Sequence, residues 1–229
     1  MHITTSTVLG VGYGAGGYLL LDVPETSCLL ATGLCSLSGM LPDLDSDTGV
    51  PLRESIAFTA AVVPMLLIDR LTHLGMDTEA MVLVGGLIYV GIRFGLAEVL
   101  KRYTVHRGMW HSLPAAAIAG LLAFLLCSCD SLFLQSYKAF AVVTGFMSHL
   151  VLDEIYAIEW KGVVPRFKRS FGTAIKFYSS NTWANISIYA KLAVLVVFAV
   201  ADPLLMSHFG YHQSDVHLMA KDLIDQIIH

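Results

Sequence analysis

Four short groups of histidine and aspartate hold the residues whose types and spacing could do chemistry. They are His2, then Asp43 and Asp45 in Leu-Pro-Asp-Leu-Asp, then His106 and His111 in His-Arg-Gly-Met-Trp-His-Ser, then His149 with Asp153. His149 and Asp153 are four residues apart, so on a helix they share one face. Either both ligate one ion, or Asp153 orients the imidazole of His149 as an outer partner. Asp43 and Asp45 follow Pro42 and are two apart, so in extended backbone they point the same way. Two close carboxylates repel unless a cation lies between them or one is protonated. His106 and His111 flank a turn that contains Gly108. Imidazole mixed with carboxylate suits zinc, manganese or iron rather than calcium. Four imidazoles and three carboxylates suffice for one or two divalent ions and a water activated to attack a phosphoester. Arg107 could hold an anionic oxygen of a substrate, or meet lipid headgroups as an interface cation. The plainer alternatives are a solvated turn for Asp-x-Asp, a helix-end hydrogen bond for His149 and Asp153, and a helix N-cap for Ser112. His73, His208, His212, His217 and His229 read as surface residues, and Asp47 shares the loop of the acidic pair.

Such groups need a scaffold, and composition says which kind. Of 229 residues, 55% are hydrophobic and 14% charged, and mean hydropathy is +0.67. A soluble domain carries about 25% charged residues. The 14 basic and 18 acidic side chains cannot dress a soluble surface of this size. A net charge of −4 offers no general polyanion footprint, so nucleic-acid binding is not expected. The fold class expected is an all-α, polytopic membrane helix bundle embedded in a lipid bilayer. Seven apolar segments predict about seven membrane-embedded helices, near residues 4–21, 27–41, 55–68, 78–99, 112–132, 137–155 and 183–205. The second is short enough to be re-entrant, and Pro64 should kink the third. The apolar runs are continuous rather than alternating, which excludes a β-barrel. One membrane domain is expected over residues 1–206, followed by a polar tail over 207–229.

If seven spans alternate, one face receives nine basic loop residues and the other only three. The richer face is then cytoplasmic. That same face receives all four His and Asp groups, although they were not used to place the helices. The basic stretch with Lys161, Arg166, Lys168 and Arg169 beside Trp160 and Phe167 should meet anionic headgroups. No cationic lead precedes the first apolar run, so that segment reads as a retained helix rather than a cleaved signal. Cys28, Cys35, Cys127 and Cys129 lie in or beside apolar segments without a Cys-x-x-Cys pair, and read as small packing residues.

On these motifs the chain resembles the LexA-regulated, inner-membrane, metal-dependent hydrolases, also called the YdjM-like family. The likeness rests on His2, on Leu-Pro-Asp-x-Asp ending at Asp45, on His-Arg-Gly-x-x-His-Ser ending at Ser112, and on Gly-x-x-Ser-His-x-x-x-Asp ending at Asp153. It continues through Arg-Ser-Phe-Gly-Thr-Ala, from Arg169 to Ala174. The resemblance implies a multi-pass protein of the bacterial inner membrane. It further implies a distant likeness to zinc-dependent phospholipase C and to the single-strand-specific zinc nucleases. In those enzymes a His-x3-Asp/Glu pair binds metal, and the reaction is phosphoester hydrolysis.

The expected function is therefore hydrolysis of a phosphoester, phospholipid-like, at the cytoplasmic membrane interface. His2, Asp43, Asp45, His106, His111, His149 and Asp153 are the expected metal ligands, with Arg107 and Asp45 as catalytic candidates. Zinc is the favoured ion, one or two per chain, with manganese or iron as alternatives. The competing readings are a non-enzymatic metal or ion transporter, and a regulatory membrane protein that keeps a metal for structure alone.

Overall fold

A computed structural model describes residues 2–45, 50–96, 109–129, 131–161, 164–167, 172 and 174–210. Each of the seven apolar segments forms a helix. Helix α1 spans His2–Leu21, α2 Glu25–Ser38, and a 3₁₀ turn covers Leu41–Asp45. Helix α3 runs Val50–Leu66, α4 Ile68–His73, and α5 Thr78–Val90 with a π-helical extension Gly91–Leu96. Helix α6 covers Leu113–Leu126, α7 Leu132–Tyr156, α8 Thr182–Val200 and α9 Pro203–His208. A two-stranded hairpin, β1 Ile158–Lys161 and antiparallel β2 Val164–Phe167, lies between α7 and α8, pairing Ile158 with Phe167. The bundle is thus nearly all helical, with this one hairpin among the described residues.

Helix α7 packs against α1, α2 and α6. Its apolar stretch is 39% buried, against 11% for α8 and none for α5. On one side it meets α1 and α2. Tyr13 and Tyr137 stack at 4.8 Å, and each hydroxyl donates to the other's backbone carbonyl. The buried face of α1 consists of small residues, Ser6, Gly10, Gly14 and Gly17, so α2 approaches closely. On the other side α6 and α8 enclose Phe124, Ala139, Val142 and Ala199. The outward faces are apolar, with Leu19, Leu20, Val82, Leu87, Val197 and Phe198 all exposed. In water such a surface would be a large liability; in lipid it is the solvent-facing side.

Among the described residues, three helices are long and apolar enough to cross a membrane: Thr78–Gly95, Leu132–Tyr156 and Thr182–Val200. Of the about seven membrane-embedded helices expected, the others fall short of that length or hydropathy for identifiable reasons. Helices α2 and α6 have 14 residues each, about 21 Å at 1.5 Å per residue, against roughly 30 Å of hydrocarbon. Helix α3 carries Pro64 and stops at Leu66, where α4 restarts. Helix α1 has 20 residues but is diluted by glycine and threonine. Helix α8 ends at Val200 rather than Leu205, because Asp202 caps a new short helix by accepting from Leu204 N. The polar tail beyond Gly210 lies outside the described residues.

Candidate metal centre

Helix direction decides what meets at each end of the bundle. Helices α2 and α7 run toward one end, whereas α1, α6 and α8 run away from it. His2 begins α1, and Asp43 sits in the 3₁₀ turn just beyond α2. His111 lies in the short segment that enters α6, and His149 with Asp153 occupies the last turns of α7. The local sequence enforces each position. Pro42 follows the end of α2 and opens the turn that carries Asp43. Ser112 caps α6 by accepting from Ala115 N and donates its own hydroxyl proton to Met109 O, which folds the His111 segment back. Gly145, one turn before His149, permits α7 to touch α2. A Cβ there would lie 2.0 Å from Cys35 O and 2.1 Å from Ser38 Oγ. That contact brings His149 under the carbonyl of Gly39.

Five side chains meet there: His2, Asp43, His111, His149 and Asp153. His149 Nε2 is 3.4 Å from Asp153 Oδ2 and 3.5 Å from Asp43 Oδ1. His111 Nε2 is 3.7 Å from Asp153 Oδ2 and 3.9 Å from Asp43 Oδ1, and His2 Nε2 is 3.6 Å from Asp153 Oδ1. The His2 ring stacks on His149 with centroids 4.1 Å apart, and Tyr156 meets His2 edge-on. Side-chain exposure runs from 1% for His149, through 29% for His2, to 52% for Asp43, so the cluster is a shaft that opens beside the 3₁₀ turn. Hydrogen bonding to His111 holds the Asp43 carboxyl below the usual carboxylate range, against the opposing effect of burial. Asp43 is therefore anionic at neutral pH.

These distances suit a shared ion. Two ligands bound to a tetrahedral ion at about 2.0–2.1 Å lie about 3.3–3.4 Å apart. His149 adds a second sign. Its Nδ1 lies 2.6 Å from Gly39 O, and a carbonyl only accepts, so Nδ1 carries the proton. In the neutral imidazole Nε2 then presents a lone pair, and it is fully buried with no hydrogen-bond partner. An imidazole pinned through one nitrogen, with the other bare and facing two carboxylates, is the usual setting of a metal-binding histidine. The donor set of three imidazoles and two carboxylates fits zinc, manganese or iron.

The structure thus brings together five of the seven ligands expected from sequence. Asp45 closes the 3₁₀ turn, with its side chain outside the described residues. His106 and Arg107 lie outside the described residues altogether. His73 and His208 are exposed, as expected of surface residues, and Cys28, Cys35 and Cys127 are buried free thiols. Two contributors escaped the sequence reading. The Gly39 carbonyl belongs to the backbone and carries no residue-type signal. Tyr156 stands seven residues after His149, two turns along the same helical face, and that spacing was the available clue.

No curated protein and no solved structure matches this chain. A family model does, across residues 1–213, and it bears the description YdjM inner membrane protein. With nearly the whole chain covered and the His and Asp groups gathered at one end of an apolar bundle, the protein belongs to the YdjM inner membrane protein family.

Proposed function

We propose that the chain is a metal-dependent hydrolase of the membrane interface, acting on a phosphoester of the phospholipid kind from the cytoplasmic side. The observation that carries this reading is the bare, buried Nε2 of His149 facing Asp43 and Asp153 at 3.4–3.5 Å. His149, Asp153, His111, His2 and Asp43 would hold the ion, with Asp45 and His106 as further donor candidates from the sequence. A divalent ion held there supplies Lewis acidity and lowers the pKa of a water at neutral pH. Asp43 keeps a negative charge at the mouth of the shaft, where an ion enters. Arg107 follows His106 directly in sequence, and its guanidinium suits an anionic phosphoryl oxygen. The apolar outer faces of α1, α5 and α8 support a lipid substrate, because they hold the shaft at the membrane.

The test is metal analysis of detergent-purified protein beside an Asp43→Ala/His149→Ala variant, with phospholipid vesicles and a soluble phosphodiester as substrates. The expected outcome is near-stoichiometric zinc, manganese or iron in the wild type only, with hydrolysis that chelation abolishes. Equal and negligible metal in both proteins would overturn the reading. Metal uptake into liposomes without hydrolysis of either ester would replace it with transport.

A further inference from the structure

Among the described residues of the Arg-Ser-Phe-Gly-Thr-Ala stretch none contributes a side chain to the five-residue cluster, yet they are tied to it. Its described residues, Gly172 and Ala174, lead into Ile175 and Lys176. Glu154 follows Asp153 in the last turn of α7, and its carboxylate collects two backbone amides from this stretch and one from Ile175 just after it. Gly172 N donates to Oε2 at 2.7 Å, and Ala174 N and Ile175 N donate to Oε1 at 2.8 and 3.2 Å. Gly172 has φ +80°, a left-handed conformation that only glycine adopts without strain, and it turns the chain so that the three amides converge. The Ala174 methyl is buried against Met109, Ala115, Leu150 and Ile188. Immediately afterwards, Lys176 O accepts from Leu113 N at 3.0 Å. Leu113 is two residues past His111, at the first turn of α6.

A continuous connection therefore runs from Asp153 through Glu154 to the 172–176 segment, and on to the base of the His111 segment. Both ends of this connection carry side chains of the cluster. They come from different helices, and His111 precedes its helix rather than sitting within it. Its position depends on what holds the entry to α6. A carboxylate that accepts three amide hydrogen bonds is a strong fastener, because each bond is charge-assisted. Ion binding needs its donors held to within about half an ångström.

We infer that Glu154 is a positioning residue, which sets the distance between Asp153 and His111 by clamping the 172–176 segment, and that this segment exists in the chain for that purpose. The inference rests on the metal reading of the cluster, but part of it is testable without any ion. In Glu154→Gln an amide NH₂ replaces one carboxylate oxygen, so one of the three donors faces another donor. Gly172→Ala attacks the same clamp from its other side, and serves if Glu154→Gln does not fold.

The experiment has two arms, both on full-length protein in nanodiscs. In metal-free protein, hydrogen exchange at Leu113, Ala174 and Ile175 should quicken in Glu154→Gln or Gly172→Ala, with the amides of the α1–α2 pair unaffected. Unchanged exchange at Leu113 overturns the inference whatever the metal does. In the second arm cobalt(II) is titrated in. The variants should bind it roughly 10–100-fold more weakly, with altered visible ligand-field bands, as expected when an outer support of a ligand is lost. Cobalt binding and bands equal to the wild type overturn the inference while sparing the metal reading. A wild type that takes no cobalt overturns both.

Discussion

The two ends of the bundle bury polar groups in opposite ways. At the far end Arg70 Nη2 reaches Asp202 Oδ2 at 2.6 Å, inside ordinary charge-assisted hydrogen-bond range. Gln135, fully buried, donates to Phe124 O at 2.8 Å and to Asp202 Oδ2 at 3.4 Å. Asp202 also caps α9. This cluster pairs its carboxylate with its own cation and donors, although Arg70 Nε and Gln135 Oε1 are buried without partners. At the near end the imidazole-carboxylate separations are 3.4–3.9 Å, and the deepest nitrogen has no partner. Arrangements of the first kind hold helices together. The second kind, with imidazoles and carboxylates spaced 3.4–3.9 Å apart and no cationic side chain among them, is the arrangement the proposed ion requires.

Three substitutions press on that contrast. The largest effect is expected from Asp153→Asn. Structural zinc sites are worth about 10–16 kcal/mol over their ligands, so loss of one ligand should cost about 3 kcal/mol, on the order of 100-fold in metal affinity by calorimetry. The metal-free variant should melt no lower than the wild type, because a carboxylate leaves a site that holds two. A marked loss of metal-free stability would mean that the near end is a structural network like the far one. Next comes Asp202→Asn, which keeps the cap on α9 but strands the Arg70 charge. Arg70 is partly exposed, so the penalty should be about 2 kcal/mol in detergent unfolding, below the full cost of breaking a buried pair. Metal content should not change, and Arg70→Leu/Asp202→Leu should recover most of the loss. The smallest effect is expected from Ser112→Ala, about 1 kcal/mol of stability for a lost cap. Because His111 precedes this cap, metal affinity should fall more than for an Ala substitution at an exposed cap such as Asn181, which accepts from Trp183 N and Ala184 N.

The readable part of this molecule is the part set by local physics. Apolar runs became helices, Ser112 became a cap, and alternating helix directions were enough to bring His2, Asp43, His111, His149 and Asp153 to one end. The unreadable part is tertiary. Whether α1 and α6 cross a membrane depends on length and glycine content against a threshold, which an apolar run by itself does not resolve. Arg70 and its partner Asp202 stand far apart along the chain, and no spacing rule links them. The hairpin at Ile158–Phe167 was hidden because its residues also make sense as a basic surface loop. Glu154 stood beside a recognised residue, but its amide donors lie in or just after a segment read only as a family resemblance.

The five clustered side chains come from four separate elements, the first at residue 2 and the last at residue 153. During synthesis the earliest donor must wait until α7 has been made before its companions exist. No short stretch of nascent chain holds more than the His149 and Asp153 pair, too few donors to capture an ion firmly. On the proposed metal reading, loading then follows only after the helices have inserted and docked, so free metal would meet finished protein rather than partly made chains.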